Sequence, residues 1–211
     1  MTVTTIPATG PFERYRAEDV RQLVAEFPLA WVCGGGAGEV EASLLPLVGQ
    51  YDADGALVEL IGHLARANPL YNALRADGRA TILFSGPQAY VSPEYVGDTA
   101  GNPRNWAPTW NYVQAKIAAD VGFDDALTEP ALDLLIDAME RHRAAPWEPT
   151  ELGSRYRGML RHIVGFRARV TSVSARFKLG QDERPETFRA IMAALPHPAL
   201  ARWMERFDQK K

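Results

Sequence analysis

Apolar side chains follow a helical spacing near the start of the chain and a strand-like pattern afterwards. Between Val20 and Phe27 they recur at positions i, i+3, i+4 and i+7, which predicts a helix over residues 17–26 that Pro28 ends. The runs that follow are short and rich in Val, Leu and Ile, which is typical of strands. The predicted strands are Leu29–Cys33, Val40–Val48, Ala56–Leu64, Ala80–Ser85, Ala89–Val91 and Trp110–Ala119.

Turn residues between these runs set the direction of the predicted strands. Gly34–Gly38 and Asp52–Gly55 are typical of hairpin turns, so consecutive strands are expected to run antiparallel. Asn68 followed by Pro69 predicts the cap and first turn of a short helix that continues to Gly78. Strands joined by hairpins, with helices beside them, indicate an α+β barrel rather than a doubly wound parallel sheet.

The middle of the chain contains a long segment without clear periodicity. Pro93–Pro108 is predicted to be an exposed loop, and a lid over a neighbouring pocket is a further hypothesis for it. Thr128 is predicted to cap a long helix that ends before Pro146.

The last part of the chain returns to regular patterns. A short helical segment around Tyr156 leads into a predicted strand over residues 164–177. A helical tail over about 185–211 follows, broken at Pro196–Pro198. Together these elements predict one domain over residues 1–211.

Composition and charge narrow the function classes. The 211 residues are 46% hydrophobic and 23% charged, as in an average globular protein, and the net charge of -3 disfavours direct binding to DNA phosphates. No apolar run approaches the ~20 residues of a membrane helix, and the first residues lack the pattern of a secretory signal. A single cysteine, Cys33, fits a reducing compartment, so the predicted location is the cytoplasm.

Several features that invite chemical interpretations favour structural ones instead. No Lys-Ser or Lys-Thr pair follows Gly34–Gly38, so a hairpin turn is favoured over a phosphate loop. The four histidines lie far apart along the chain, and no metal site is predicted. Cys33 is expected to be a packed strand residue, and Asp124–Asp125 to lie on a solvated face.

The segment Gly62–Pro69 combines several features that suit an anion. It joins a strand to a helix, and it places Arg66 beside the capping residue Asn68 at a predicted helix N-terminus. A guanidinium, backbone N–H groups and the helix dipole all favour a phosphate there. The alternative is that Arg66 pairs with a surface carboxylate.

Two further segments predict a wall for a planar ligand. Gly86–Pro93 places alternating polar side chains on a strand bounded by prolines, and Pro108–Tyr112 gathers two aromatic rings, an amide and a hydroxyl. Aromatic rings beside amide and hydroxyl groups fit a heterocycle with polar edges. Taken singly, each segment also fits ordinary core and edge positions.

The order of these segments resembles the PaiB family, which is described as FMN-binding negative transcriptional regulators on a flavin-binding split barrel. The family pattern adds a proline-tryptophan stretch, an Ile-Val-Gly-Phe strand and a Lys-Leu-Ser-Gln-Asn end to the three segments above. The matching positions are Gly62–Pro69, Gly86–Pro93, Pro108–Tyr112, Pro146–Trp147, Ile163–Phe166 and Lys178–Asp182.

The resemblance implies an antiparallel six-stranded split β-barrel with flanking helices, and a homodimer that holds FMN at its interface. The phosphate is expected at Arg66 and Asn68, and the flavin edge along Ser43–Leu45. No catalytic residue and no metal ligand follows from it. The implied cofactor-binding residues are Ser43, Leu44, Leu45, His63, Leu64, Ala65, Arg66, Asn68, Tyr90, Ser92, Thr109, Trp110, Asn111, Lys178 and Gln181.

The chain departs from the family pattern at three places near the expected pocket. Leu44 stands where the family usually has histidine, Gly180–Asp182 replaces Ser-Gln-Asn, and Lys116 stands where a histidine is expected. A lost hydrogen bond to the cofactor is worth about 1.5–3 kcal/mol, so FMN affinity is expected to be about tenfold weaker or more.

Two alternative functions remain open at this point. The same site fits a flavin-dependent oxidoreductase that acts on a small molecule. A protein of this fold that binds haem or another planar ligand is the other, with His63 or Cys33 as a candidate axial ligand. Because no basic helix-turn-helix is found, any effect on transcription is expected to be indirect.

Overall fold

The computed structural model describes residues 4–5, 10–35 and 40–208. Its strands are β1 (Thr4–Thr5), β2 (Leu29–Gly34), β3 (Glu41–Tyr51), β4 (Leu57–Ala65), β5 (Arg79–Val91), β6 (Thr109–Asp124) and β7 (Ile163–Lys178). Its α-helices are α1 (Ala17–Glu26), α2 (Pro69–Asp77), α3 (Thr128–Glu140), α4 (Ser154–Leu160), α5 (Pro185–Ala194) and α6 (Pro198–Asp208).

Six strands close into an antiparallel barrel with flanking helices, as the sequence predicts. The strand order is β7-β4-β3-β2-β5-β6, and β6 also pairs with β7, while the short β1 runs parallel to β7. Trp31 of β2 lies opposite Leu44 of β3, and Leu47 of β3 lies opposite Gly62 of β4. Residues 36–38 of the predicted glycine turn between β2 and β3 lie outside the described residues.

The prediction of two separate strands at Ala80–Ser85 and Ala89–Val91 is wrong. A single strand, β5, runs through Gly86 and Pro87. Proline has a fixed φ that extended backbone accepts, so it removes a hydrogen-bond donor from a strand without turning the chain.

The chain divides into two compact units, and residues 17–84 and 115–174 form most of the first. In this unit α1 matches the predicted bounds and buries Val20, Leu23 and Val24. A Cβ added at Gly34 would lie 2.4 Å from Leu74 Cδ2, so a glycine there allows α2 to pack closely on β2. The helix ends at Gly78, whose φ of +74° is the left-handed conformation typical of a helix end.

The prediction that Thr128 caps α3 with its side chain is wrong. Thr128 is the first helical residue, and its hydroxyl accepts a hydrogen bond from the Gly165 amide at 3.0 Å. The two segments approach so closely that a Cβ on Gly165 would lie 2.7 Å from the carbonyl carbon of Leu127. The hydroxyl therefore joins β7 to α3, which sequence periodicity alone does not reveal.

The second compact unit contains residues 10–16, 85–114 and 175–208 of the described chain. Its core is aromatic: the ring of Phe177 stacks on Trp203 and Phe207, with centroids 5.8 and 5.0 Å apart. The predicted helical tail is present as α5 and α6, and residues 209–211 lie outside the described chain. One domain over the whole chain stays a prediction.

The segment Pro93–Pro108 has more structure than the predicted exposed loop. It contains 3-10 turns at Pro93–Ala100 and Pro103–Asn105, and Val96 is fully buried. The side chains of Ser92 and Asn102 accept hydrogen bonds from backbone N–H groups two residues later, which starts each turn. A role as a lid stays a prediction.

Candidate functional site

The polar residues at the end of β4 and the start of α2 form a hydrogen-bonded corner. Asn68 Oδ1 accepts from the Leu70 amide at 3.0 Å, and the Tyr71 amide donates to the Asn68 carbonyl at 2.9 Å. Asn68 Nδ2 donates to Ser43 Oγ of β3 at 2.9 Å. Pro69 has no N–H, and the Leu70 and Tyr71 amides are already bonded to Asn68, so the first residues of α2 offer no free donor. Side chains must therefore supply the donors for an anion.

Arg66 lies two residues before this cap and pairs with Asp125. Its Nη2 is 2.5 Å from Asp125 Oδ1, and the two side chains are 35% and 78% exposed. The hydrogen bond to Asp125 raises the pKa of Arg66, which therefore keeps its charge at every physiological pH. Exposed ion pairs contribute little to stability, so an anionic ligand can replace this carboxylate at small cost.

His63 lies three residues earlier, on β4, and is half-buried. Burial lowers the pKa of His63, so the imidazole is neutral near pH 7. Its Nδ1 atom is buried and has no hydrogen-bond partner among the described residues. A neutral imidazole can accept or donate one hydrogen bond, or ligate a metal.

The other predicted residues of the first unit differ in accessibility. Leu45 and Leu64 point into the core, and only their backbone could meet a cofactor. Leu44 and Ala65 are exposed, and Ser43 is half-buried. This strand edge therefore offers backbone groups, one hydroxyl and one exposed apolar side chain.

An exposed apolar face, which the sequence analysis missed, lies on the outer side of neighbouring strands. Trp31 of β2 is 48% exposed and is paired with Leu44 on β3 and with Leu83 on β5, both also exposed. Leu29 adds a fourth exposed apolar side chain on the same strand. The signal was present in Leu29–Cys33, where both alternating sets of residues are apolar, as expected for a strand covered on both sides.

Four of the seven predicted residues of the second unit form two pairs. The rings of Tyr90 and Trp110 meet edge to face, with centroids 6.0 Å apart, and both are exposed. Lys178 Nζ donates a hydrogen bond to Thr109 Oγ1. These four side chains therefore form two local clusters, one aromatic and one polar.

The remaining three predicted residues of this unit form hydrogen bonds with the protein itself. Ser92 starts a 3-10 turn, and the Gln181 amide donates to the Phe177 carbonyl and accepts from the Leu179 amide. Asn111 is 2% exposed, and its Nδ2 donates to Met204 Sδ at 3.5 Å. Their polar groups are thus engaged within this unit.

Within the described residues, no group of His, Cys, Asp or Glu side chains is arranged to hold a metal ion. No helix of the described chain is long and apolar enough to cross a membrane. The β4–α2 corner itself offers an arginine, a hydroxyl and an amide.

Comparison with known proteins identifies the family. Over 191 residues the chain is 28% identical to the protein named Protease synthase and sporulation protein PAI 2 from Bacillus subtilis (strain 168), covering 87% of this chain and 86% of that protein. A family model described as "Putative FMN-binding domain" matches residues 8–172. The chain belongs to the PaiB family of FMN-binding proteins. FMN is the cofactor of this family, which confirms the sequence prediction.

Solved structures show the same fold for this PaiB-family chain. The FAD and heme binding protein from Mycobacterium smegmatis aligns with a TM-score of 0.59 at 18% identity, over 87% of this chain and 80% of that one. The flavocytochrome Anf3 from Azotobacter vinelandii aligns with a TM-score of 0.54 at 16% identity, over 83% and 74%. At these identities the likeness concerns the fold alone.

Proposed function

We propose that the PaiB-family chain binds the phosphate of FMN at the β4–α2 corner. The observation that carries this proposal is the charged guanidinium of Arg66, which lies two residues before the Asn68–Ser43 pair and is paired with an exposed carboxylate. A phosphate needs a cation and several donors, and this corner has both. Displacing Asp125 frees the guanidinium for a bidentate contact.

The donors at this corner fit a phosphate group. The Arg66 guanidinium supplies charge, and the Ser43 hydroxyl and the Asn68 amide supply neutral donors. When bound, FMN supplies redox chemistry, and the residues of this chain orient it. His63 and the backbone of Ser43–Leu45 and Leu64–Ala65 are proposed to follow the flavin ring.

The predicted flavin contacts in the second unit are Tyr90, Ser92, Thr109, Trp110, Asn111, Lys178 and Gln181. They stay predictions of the family resemblance. The phosphate assignment does not depend on them, because its donors lie on β3 and in the short segment between β4 and α2.

We infer that the chain acts as a homodimer. The face formed by Leu29, Trp31, Leu44 and Leu83 supports this inference, since exposed apolar patches of this kind usually mark an interaction surface. Leu44 is adjacent to Ser43, so a second copy seated on this face would also lie beside the proposed FMN site. The test is the molecular mass measured by sedimentation in an analytical ultracentrifuge. We expect the unmodified chain to be a dimer and Trp31→Glu to be a monomer.

A role in regulating transcription is proposed from the family resemblance, with an indirect effect on DNA. The net charge of -3 supports an indirect role, because direct binding to DNA phosphates usually needs an excess of basic residues. Flavin-dependent oxidoreductase activity is the alternative for the same FMN site. The cytoplasmic location stays a prediction.

A second candidate ligand is haem, and one observation favours it. His63 is neutral and half-buried, which suits an imidazole that ligates iron. A Soret band on haem addition that His63→Ala abolishes would support this function. An unchanged spectrum would leave FMN as the only proposed cofactor.

The experiment for the FMN site is an absorbance titration of the purified protein. Arg66→Ala is expected to weaken FMN binding about tenfold or more, and to leave riboflavin binding unchanged because riboflavin lacks the phosphate. Arg79→Ala is the matched control, since Arg79 also forms an exposed ion pair, with Asp77. Equal loss of FMN and riboflavin affinity in Arg66→Ala would contradict the phosphate assignment.

A further inference from the structure

A cavity in the second compact unit has a lining that the proposed FMN phosphate site does not use. Its volume is about 290 Å³, near the lower end of the range for small-molecule sites. The polar part of its lining consists of Trp106, Thr109, Asn111, Lys178, Asp182 and Glu183. The charged groups in this lining are therefore one ammonium group and two carboxylates.

Lys178 supplies the positive end of this cavity. Its Nζ donates to Thr109 Oγ1 and lies 5.8 Å from the centre of the Phe12 ring. Among the described residues, no carboxylate lies within ion-pair distance of this ammonium group. The contacts of this half-buried cation with a hydroxyl and a ring do not neutralise its charge, so it can bind an anionic ligand.

Asn111 supplies a polar group at the buried side of the cavity. The side chain is almost fully buried, and its Nδ2 donates to Met204 Sδ, which is a weak acceptor. Because Asn111 also lines the cavity, it places an amide of fixed position beside a bound ligand.

Asp182 and Glu183 supply the negative end. Glu183 Oε2 accepts a hydrogen bond from Trp106 Nε1 at 3.4 Å. The turn that carries both carboxylates is braced, because Gly180 takes a left-handed φ of +80° and Gln181 bonds to the backbone of Leu179. The acidic groups are therefore held on a defined turn rather than on a free loop.

We propose that this cavity binds a small zwitterion of the α-amino-acid class. The ligand carboxylate lies at Lys178 and Thr109, its ammonium group at Glu183 and Asp182, and its side chain against Val91 and Ile191 of the lining. Charges of both signs in one cavity favour a ligand that carries both over a simple acid or a simple amine. This inference does not depend on the proposed phosphate site, which uses Arg66, Asn68 and Ser43 instead.

The test is isothermal titration calorimetry of the full chain, with and without saturating FMN. The probes are the standard proteinogenic amino acids, each followed, if it binds, by the amine that lacks its carboxylate and the acid that lacks its amino group. At least one amino acid is expected to bind, with both truncated analogues about tenfold weaker or more. Quenching of Trp106 fluorescence, assigned with Trp106→Phe, locates the binding to this cavity.

Two variants and two matched controls complete the test. Lys178→Met and Glu183→Gln are each expected to weaken binding of the amino acid about tenfold. Both should keep the far-UV circular dichroism spectrum and the thermal unfolding midpoint of the unmodified chain, which shows that they are folded. Lys116→Met and Glu186→Gln change exposed residues outside the cavity and should bind the amino acid like the unmodified chain. The proposal is overturned if no amino acid binds, if the truncated analogues bind equally well, or if the two cavity variants leave binding unchanged.

Discussion

The β4–α2 corner and the Lys178 cavity both contain a basic side chain beside a hydroxyl, yet they differ in what balances the charge. Arg66 already has an exposed carboxylate, Asp125, which a stronger anion can displace. Lys178 has a hydroxyl and no carboxylate partner in the described chain, and two acidic residues line the same cavity. The comparison teaches that the pattern of neighbouring charges, rather than the basic residue itself, indicates the class of ligand.

The largest expected effect concerns the aromatic core of the second unit. Trp203→Ala removes a buried ring that stacks on Phe177, and it should lower the free energy of unfolding by about 3–5 kcal/mol. Urea denaturation measures this loss. Trp147→Ala, which removes a partly exposed ring, should cost about 1 kcal/mol or less.

The same variant also tests ligand binding. Because the proposed phosphate donors lie in the first unit, Trp203→Ala should keep its FMN affinity under conditions in which it is folded. Loss of FMN binding without global unfolding would show that FMN binding also needs residues of the second unit.

A second change targets the first unit. Gly165→Ala places a Cβ 2.7 Å from backbone atoms of Leu127, which cannot move aside easily, so stability should fall by about 1–3 kcal/mol. Gly158→Ala is the control: its Cβ meets only Arg161 Nη2 at 3.9 Å, and alanine within α4 should stabilise the protein slightly. Thermal unfolding of both variants gives the comparison, and equal shifts would contradict the close approach of α3 to β7.

Asn68 separates the capping role from the ligand role at the corner. Asn68→Ala should cost about 1 kcal/mol of stability through the lost cap, and should also weaken FMN binding. Asn68→Asp keeps a capping oxygen but places a negative charge beside the phosphate, so stability should be retained while FMN binding falls. If Asn68→Asp bound FMN as tightly as the unmodified protein, the phosphate would lie elsewhere.

The smallest expected effect concerns His63. Its pKa is lowered in the folded protein, so the unfolded chain binds the proton more readily. Stability is therefore complete above the ordinary pKa of 6.5, falls as the pH drops below it, and levels off below the folded pKa. His63→Gln should remove this part of the pH dependence, as measured by urea denaturation of FMN-free protein across pH 5 to 8.

Most of the fold could be predicted because it follows local patterns. The spacing around Val20 gave α1, the Asn68–Pro69 cap gave α2, and hairpin turns gave the antiparallel order of β2, β3 and β4. The errors arose where a contact distant in sequence decides the structure. The Thr128 hydroxyl accepts a hydrogen bond from Gly165 rather than capping its own helix, and β5 continues through Pro87, where the sequence indicated a break.

The site was less predictable than the fold, for the same reason. The sequence places Arg66 near Asn68, but it does not reveal that Asp125 pairs with Arg66. It also does not reveal that the Leu70 amide at the start of α2 is already bonded to the Asn68 side chain. It also does not show that Asn111 and Gln181 are engaged by Met204 and by neighbouring backbone. Hydrogen-bond partners depend on the tertiary structure, whereas residue types and spacing do not.

The most direct test of two distinct sites is a crossed titration. Arg66→Ala and Glu183→Gln are each titrated with FMN, with riboflavin and with the amino acid that binds the unmodified chain best. We predict that Arg66→Ala loses affinity for FMN only, and that Glu183→Gln loses affinity for the amino acid only. If Glu183→Gln weakened FMN binding as much as Arg66→Ala does, the corner and the cavity would serve one ligand, and the assignment of two distinct sites would be contradicted.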